Sequence, residues 1–259
     1  VRLLPLISSD TLKSKMKVSL RGLLLWLLYY RQRKTRRSSP LFSDLLYSSS
    51  SHHAYARAVL QLGKVKILSQ SFAYLMNNRI QGDYAEFGVY KGETLLEAIS
   101  AAKVFEQAGM RFCVFDSFQG LPSIRSEKDI GVFQKGEFAF SYEDFMANLR
   151  KERVDLERLD IYPGYYEESL SKLNDERSFS FVLVDCDLYA STVPVLKYLE
   201  GKLVQGAIVA FDDWFCYDSP NKGVRQAVSE WLIDYKTIEL IEYENFHWAG
   251  KAFIVNYRS

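Results

Sequence analysis

Two stretches of this chain end in paired carboxylates. The apolar run Phe179–Val184 (FSFVLV) passes at once into Asp185 and Asp187, and residues 207–211 pass into Asp212 and Asp213. Carboxylate oxygens are the ligands a hard divalent cation takes, and a carboxylate beside such an ion can also receive a proton. One Asp after a strand is usually a turn residue, but four at two strand ends point to a cation site. A third candidate lies upstream, in Glu86-Phe-Gly88-Val-Tyr90-Lys-Gly92. Glycines there allow a tight turn and close approach of a ligand, and the free N–H groups of a following helix favour anionic groups. The spacing is not G-x-G-x-x-G, so the usual dinucleotide fingerprint is absent. Asp116 follows the next apolar run, 24 residues beyond Gly92, where it is placed to accept hydrogen bonds from ribose hydroxyls.

These residues can act together only if strand ends gather them. Residues 179–184 are almost continuously apolar, which suits a strand buried on both faces of a parallel sheet. Strands are also expected at 84–89, 112–115, 159–162 and 207–211. Helices are expected at 94–107, at 191–199, at 223–235, and from a Ser141/Asp144 capping box to about residue 153. Residues 238–243 and 252–257 lie too close in sequence for a crossover helix and are expected to pair antiparallel. This alternation predicts an α/β fold, a mostly parallel sheet with helices on both faces. Residues 119–141, rich in Gly, charge and Phe, read as a loop or lid over the site. Residues 55–76 carry apolar residues at helical spacing, among them Val59, Leu62, Ile67, Phe72 and Leu75, and are expected to cover the sheet. Residues 48–53 read as a polar linker.

The chain has 259 residues, 48% hydrophobic and 25% charged, which suits one α/β domain with additions at its ends. Residues 1–40 hold ten Lys or Arg against one acid, Asp10, so a total charge of +1 leaves the remainder at −8. An acidic body argues against a nucleic-acid binder, which needs basic surface on the domain itself. The expected division is a basic and apolar extension over 1–50 and one domain over 51–259. Within the extension, residues 20–30 (LRGLLLWLLYY) are too short to cross a bilayer, and no small-residue cleavage site follows them. Three placements are open for this segment: an anionic membrane surface, a partner subunit, or the protein's own domain. Cys113, Cys186 and Cys216 form no CxxC or zinc spacing and cannot all pair within one chain; buried, reduced thiols in a cytoplasmic protein are expected.

The motifs DYAEFGVYKGET, FDSFQGLP, VDCDLYAST, FDDW and GVRQAV, in this order, resemble the macrocin O-methyltransferase family, whose members methylate sugar hydroxyls. The resemblance runs from about residue 82 to 257. It implies a Rossmann-like class I methyltransferase fold, with a seven-stranded sheet whose last strand is antiparallel. It also implies S-adenosylmethionine as methyl donor, a divalent metal, normally magnesium, and a sugar-containing acceptor. Carried onto the matching positions, Glu86, Gly88 and Gly92 would face the methionine part of the donor and Asp116 its ribose. Tyr90, Thr94, Ser117, Phe118 and Gly164 would complete the donor set. Asp185, Asp212 and Asp213 match the family's metal carboxylates.

In metal-dependent catechol-type relatives a lysine lies three residues after the first metal Asp, but here that position is Leu188. This weakens a phenol-methylating reading and leaves Asp187, Asp185 itself or His247 as candidate bases. Tyr165, Tyr166, Trp214, Phe215, Tyr217 and Trp248 are candidates for an acceptor pocket, since aromatic faces suit the apolar side of a sugar ring. The alternatives are methylation of a non-sugar diol or phenol, or a donor-binding scaffold without catalysis. A homo-oligomer is also open.

Overall fold

The computed structural model describes residues 49–107, 109–173 and 176–258; the basic and apolar stretches of the N-terminal extension lie outside the described residues. The site belongs to the compact unit that begins at Ala58. Seven strands form one sheet: β1 (Asp83–Phe87), β2 (Phe112–Asp116), β3 (Leu159–Pro163), β4 (Phe179–Val184), β5 (Leu203–Phe211), β6 (Ile238–Asn245) and β7 (Lys251–Tyr257). Their order is β3-β2-β1-β4-β5-β7-β6. Strands β1 to β5 pair in parallel, and β7 runs antiparallel to both β5 and β6. The fold is the expected α/β architecture with an antiparallel last strand.

Alternate side chains of each strand feed two cores, as the period of two requires. Ala85, Phe87, Cys113, Phe115, Val182, Val184, Val209 and Phe211 pack beneath α5 (Tyr189–Leu199) and α6 (Gly223–Asp234). Tyr84, Phe112, Val114, Phe181, Leu183 and Ile208 pack beneath α1 (Ser49–Asn78), α2 (Glu93–Val104) and α3 (Tyr142–Lys151). A short helix, α4 (Tyr166–Ser169), follows β3. Every residue of β4 is buried, which is why that stretch reads as apolar throughout instead of alternating.

Two expectations at the N-terminal side are corrected. Residues 49–53 begin helix α1 rather than a linker; serine has only a modest helix penalty and sits readily in a first turn, so a polar composition did not predict a break. Val59 and Leu62 are exposed. The buried stripe of α1 is Gly63, Lys64, Ile67, Leu68, Ser71, Phe72 and Leu75, a regular 3.6-residue face that passes to one side of both residues.

Residues 119–141 contain a short helical turn at Glu127–Asp129 that is tied to the helices behind it. Asp129 is buried, and its carboxylate accepts hydrogen bonds from the Tyr189 and Ala190 N–H groups, which open α5. Lys128 pairs with Glu230 on α6 at 2.6 Å and lies 4.1 Å from the centre of the Tyr189 ring. The Asp129 carboxylate thus satisfies N–H groups that a helix N-terminus leaves open, and fixes the middle of the loop to the start of α5.

Candidate functional site

The sheet register sets the site. The Gly88 N–H donates to the Phe115 carbonyl, the Asp185 N–H to Phe87 and the Asp212 N–H to Val184. Gly88, Asp185 and Asp212 therefore leave β1, β4 and β5 at one level. Sheet order reverses between β1 and β4, the place where open α/β sheets bind ligands. Left-handed backbone accumulates there, at Gly88 (φ 90), Tyr90 (φ 46), Gly92 (φ 82), Phe118 (φ 55) and Asp187 (φ 61). Such conformations cost free energy in non-glycine residues and cluster at functional sites.

One oxygen of Asp116, Oδ2, accepts from the Val89 and Tyr90 N–H groups at 2.8 and 3.2 Å, and Oδ1 accepts from Phe118 at 2.7 Å. A carboxylate has about four acceptor positions, so roughly one remains for a ligand hydroxyl. Ser117 is committed locally, donating to the Gly120 carbonyl and accepting from the Gln119 N–H. Gly164 donates its N–H to the Asp116 carbonyl. Thr94 is buried in the first turn of α2, which Gly92 caps. The Phe118 ring packs on Tyr142 and Phe145, and Tyr90 meets Phe138 and Phe140 from the loop. Glu86 is buried beneath the site and accepts a hydrogen bond from the Tyr84 hydroxyl at 2.7 Å. Burial raises its pKa to about 8, against the pull of that hydrogen bond and of Lys64.

The four aspartates divide into a triad and Asp212, which shares Lys64 with Asp185. Oxygens of Asp185, Asp187 and Asp213 lie within 4.8 Å of one another. Burial raises Asp187 and Asp213 well above the usual carboxylate range, and neighbouring aspartates push them further in the same direction. Burial and then Asp212 raise Asp185 to about 6. The Asp213 carboxylate accepts from the Asp187 N–H at 3.1 Å and from the Cys216 thiol at 3.3 Å. Asp212 turns instead to Lys64 at 3.0 Å and His247 at 2.8 Å. Burial opposes its charge, yet Lys64 and His247 hold its pKa at about 2.

No motif in the sequence marks Lys64. Its ammonium lies 2.7 Å from Asp185 Oδ2 as well as beside Asp212. Burial disfavours the charge, but the two aspartates outweigh it and raise its pKa well above the usual value. The available signal was a lysine one helical turn before Ile67 and Leu68 on the buried stripe of α1.

His247 is nearly enclosed, with its side chain 1% exposed. Its Nδ1 accepts from the Ala249 and Gly250 N–H groups at 3.1 and 3.0 Å, which assigns the ring proton to Nε2, facing Asp212.

The candidate acceptor aromatics divide as well. Trp214 packs against Phe211 and Phe253, and Tyr166 against Phe87, both at the core. Tyr217 is buried with its hydroxyl 3.5 Å from the Asp187 and Asp129 carbonyls. Tyr165 precedes α4 and is half-buried. Phe215 and Trp248 are exposed, on segments joined by the Phe215 N–H to Ala249 carbonyl hydrogen bond. All three cysteines are free, Cys113 and Cys186 buried as expected and Cys216 half-buried beside Asp213. Among the described residues, no helix is long and apolar enough to cross a membrane.

Residues 30–246 match the family model described as Macrocin-O-methyltransferase (TylF). A curated relative from Streptomyces olivaceus, 8-demethyl-8-(2,3-dimethoxy-alpha-L-rhamnosyl)-tetracenomycin-C 4'-O-methyltransferase, is 23% identical over 61% of this chain and 63% of its own length. Mycinamicin III 3''-O-methyltransferase from Micromonospora griseorubida is 21% identical over 79% of this chain and 83% of its own. Among solved structures, the O-methyltransferase NovP superposes with a TM-score of 0.65 at 23% identity, covering 76% of this chain and 80% of that one. The calicheamicin methyltransferase CalS11 gives 0.60 at 21% identity, covering 96% and 94%. These likenesses agree with the fold described above.

Proposed function

The chain belongs to the macrocin O-methyltransferase family, and from that premise we propose that it moves a methyl group from S-adenosylmethionine to a sugar hydroxyl, assisted by magnesium. The observation that carries this reading is the cluster of Asp185, Asp187 and Asp213 beside the Gly88 to Gly92 turn, at the reversal of sheet order. The donor set fits a hard cation: it is all carboxylate oxygen, from three groups within 4.8 Å of one another, of which Lys64 pairs with Asp185. Asp185 and Asp213 would hold the ion, with Asp212 the third matching carboxylate once it exchanges partners. Magnesium would supply a Lewis acid that lowers the pKa of the sugar hydroxyl.

The chain's own residues supply the rest. In this reading Asp187, in the same cluster, takes the hydroxyl proton, and His247, with its Nδ1 lone pair engaged, orients Asp212. Asp116 organises the turn after β1 and keeps an acceptor position for a ribose hydroxyl. Phe215 and Trp248, exposed and close in sequence to Asp213 and His247, offer apolar faces for the acceptor. The rhamnosyl group in the name of the Streptomyces olivaceus relative supports glycosides as the acceptor class.

Titration calorimetry with S-adenosylmethionine tests the donor half. The protein is expected to bind the donor, and Asp116→Ala is expected to weaken binding by ~1.5–3 kcal/mol, the scale of hydrogen bonds involving a charged group. Unchanged affinity in a folded variant would remove Asp116 from the donor site. A panel of rhamnosides and related glycosides with labelled donor then identifies the acceptor.

A further inference from the structure

We infer that Lys64 is a positioning residue that sets how tightly the aspartate cluster takes its divalent cation. This inference rests on the magnesium reading above and deepens it. Lys64 reaches the site from α1, 121 residues away from Asp185 in sequence. Its ammonium engages Asp185 Oδ2 at 2.7 Å and Asp212 Oδ2 at 3.0 Å. Among the described residues, the side-chain cation paired with any of the four aspartates is Lys64, while His247 meets Asp212 through a hydrogen bond.

The placement of this lysine is enforced by packing. A Cβ at Gly63 would overlap the Phe246 carbonyl oxygen and lie 2.8 Å from His247 Cβ. Helix α1 is therefore seated directly on the loop that carries His247. Asp212 is gripped from two sides, its Oδ1 by His247 and its Oδ2 by Lys64.

Three consequences follow for a cation. Both oxygens of Asp212 and one of Asp185 already have partners, so a divalent ion must compete for them. The lysine also places a unit positive charge at the edge of the site, where little water screens it. Without a metal, the same charge balances carboxylates that would otherwise repel one another. Lys64 is thus a resident counter-cation that keeps the empty cluster assembled and lowers its affinity for metal. An ammonium has three donors and no acceptor, so this role is distinct from that of the base.

The test measures manganese binding, by electron paramagnetic resonance, to the full chain and to Lys64→Met, Lys64→Gln and Lys64→Arg. Loss of the charge in Lys64→Met and Lys64→Gln is expected to tighten manganese binding about tenfold or more, with Lys64→Arg near the native value. Manganese should also raise the melting temperature of the two neutral variants by more than it raises that of the native protein. The Gln side chain retains a donor for Asp185 and Asp212, so it decides the matter if Lys64→Met does not fold. Manganese binding that is unchanged or weaker in a folded neutral variant overturns the role of Lys64 and leaves the metal reading standing. Absence of binding in the native protein and in all variants overturns the metal reading, and this inference with it.

Discussion

Asp187→Asn is expected to lower kcat by about 10²–10⁴-fold while leaving the donor affinity nearly unchanged, the range for loss of a general base. The substitution keeps shape and removes charge. Asp187 holds a left-handed backbone, φ 61, which asparagine adopts as readily as aspartate, so the fold should survive. Its N–H bond to the Asp213 carboxylate is a main-chain bond and is retained. Burial and Asp213 already disfavour charge on this group, so the variant should be at least as stable as the native protein in the absence of metal. Turnover at saturating donor and acceptor, beside calorimetric donor binding, checks both halves. Native turnover in Asp187→Asn would pass the role of base to another group.

Gly88→Ala is expected to be among the most destabilising single substitutions in the domain. Gly88 has φ 90, a region that carries a strain of ~1–2 kcal/mol for residues with a side chain. A Cβ there would also overlap the Asp185 carbonyl oxygen. That oxygen is main chain, and β4 is held in register on both sides. Neither partner can move without disturbing the sheet, and overpacking of this kind costs ~1–3 kcal/mol more. The total of roughly 3 kcal/mol or more corresponds to a fall in Tm on the order of 10 °C for a domain of this size. Thermal unfolding followed by circular dichroism measures it. Gly164→Ala makes a useful comparison, since its Cβ would meet only Ser169 Cβ at 3.5 Å and its cost should be mostly backbone strain. A Gly88→Ala variant with native Tm would show that the β1–β4 junction yields more easily than its packing implies.

Much of the fold was legible because local signals agreed with one another. The unbroken apolar run of β4 announced a strand covered on both faces, and the acids directly after β4 and β5 placed the site at their carboxyl ends. The Ser141/Asp144 signal also marked a real helix start, with the Ser141 hydroxyl accepting from the Asp144 N–H. Residues whose role depends on distant partners were harder to read. Lys64 looks like any helix lysine until the sheet brings Asp185 and Asp212 beneath it. Asp129 sits in a segment without periodicity, and only the tertiary fold shows that its carboxylate caps α5. Sequence spacing likewise could not show that Asp212 turns toward Lys64 and His247 while Asp187 lies with Asp185 and Asp213.

Metal dependence of methyl transfer tests the central claim most directly. Labelled S-adenosylmethionine is incubated with the protein and an accepted glycoside, in excess chelator and then after magnesium is restored. Methylated sugar is expected to disappear in chelator and to return with magnesium, and Asp185→Asn should remain inactive in both conditions. Full methyl transfer in excess chelator, with Asp185→Asn also active, would contradict a metal-assisted reaction and reduce the four aspartates to caps of the turns they occupy.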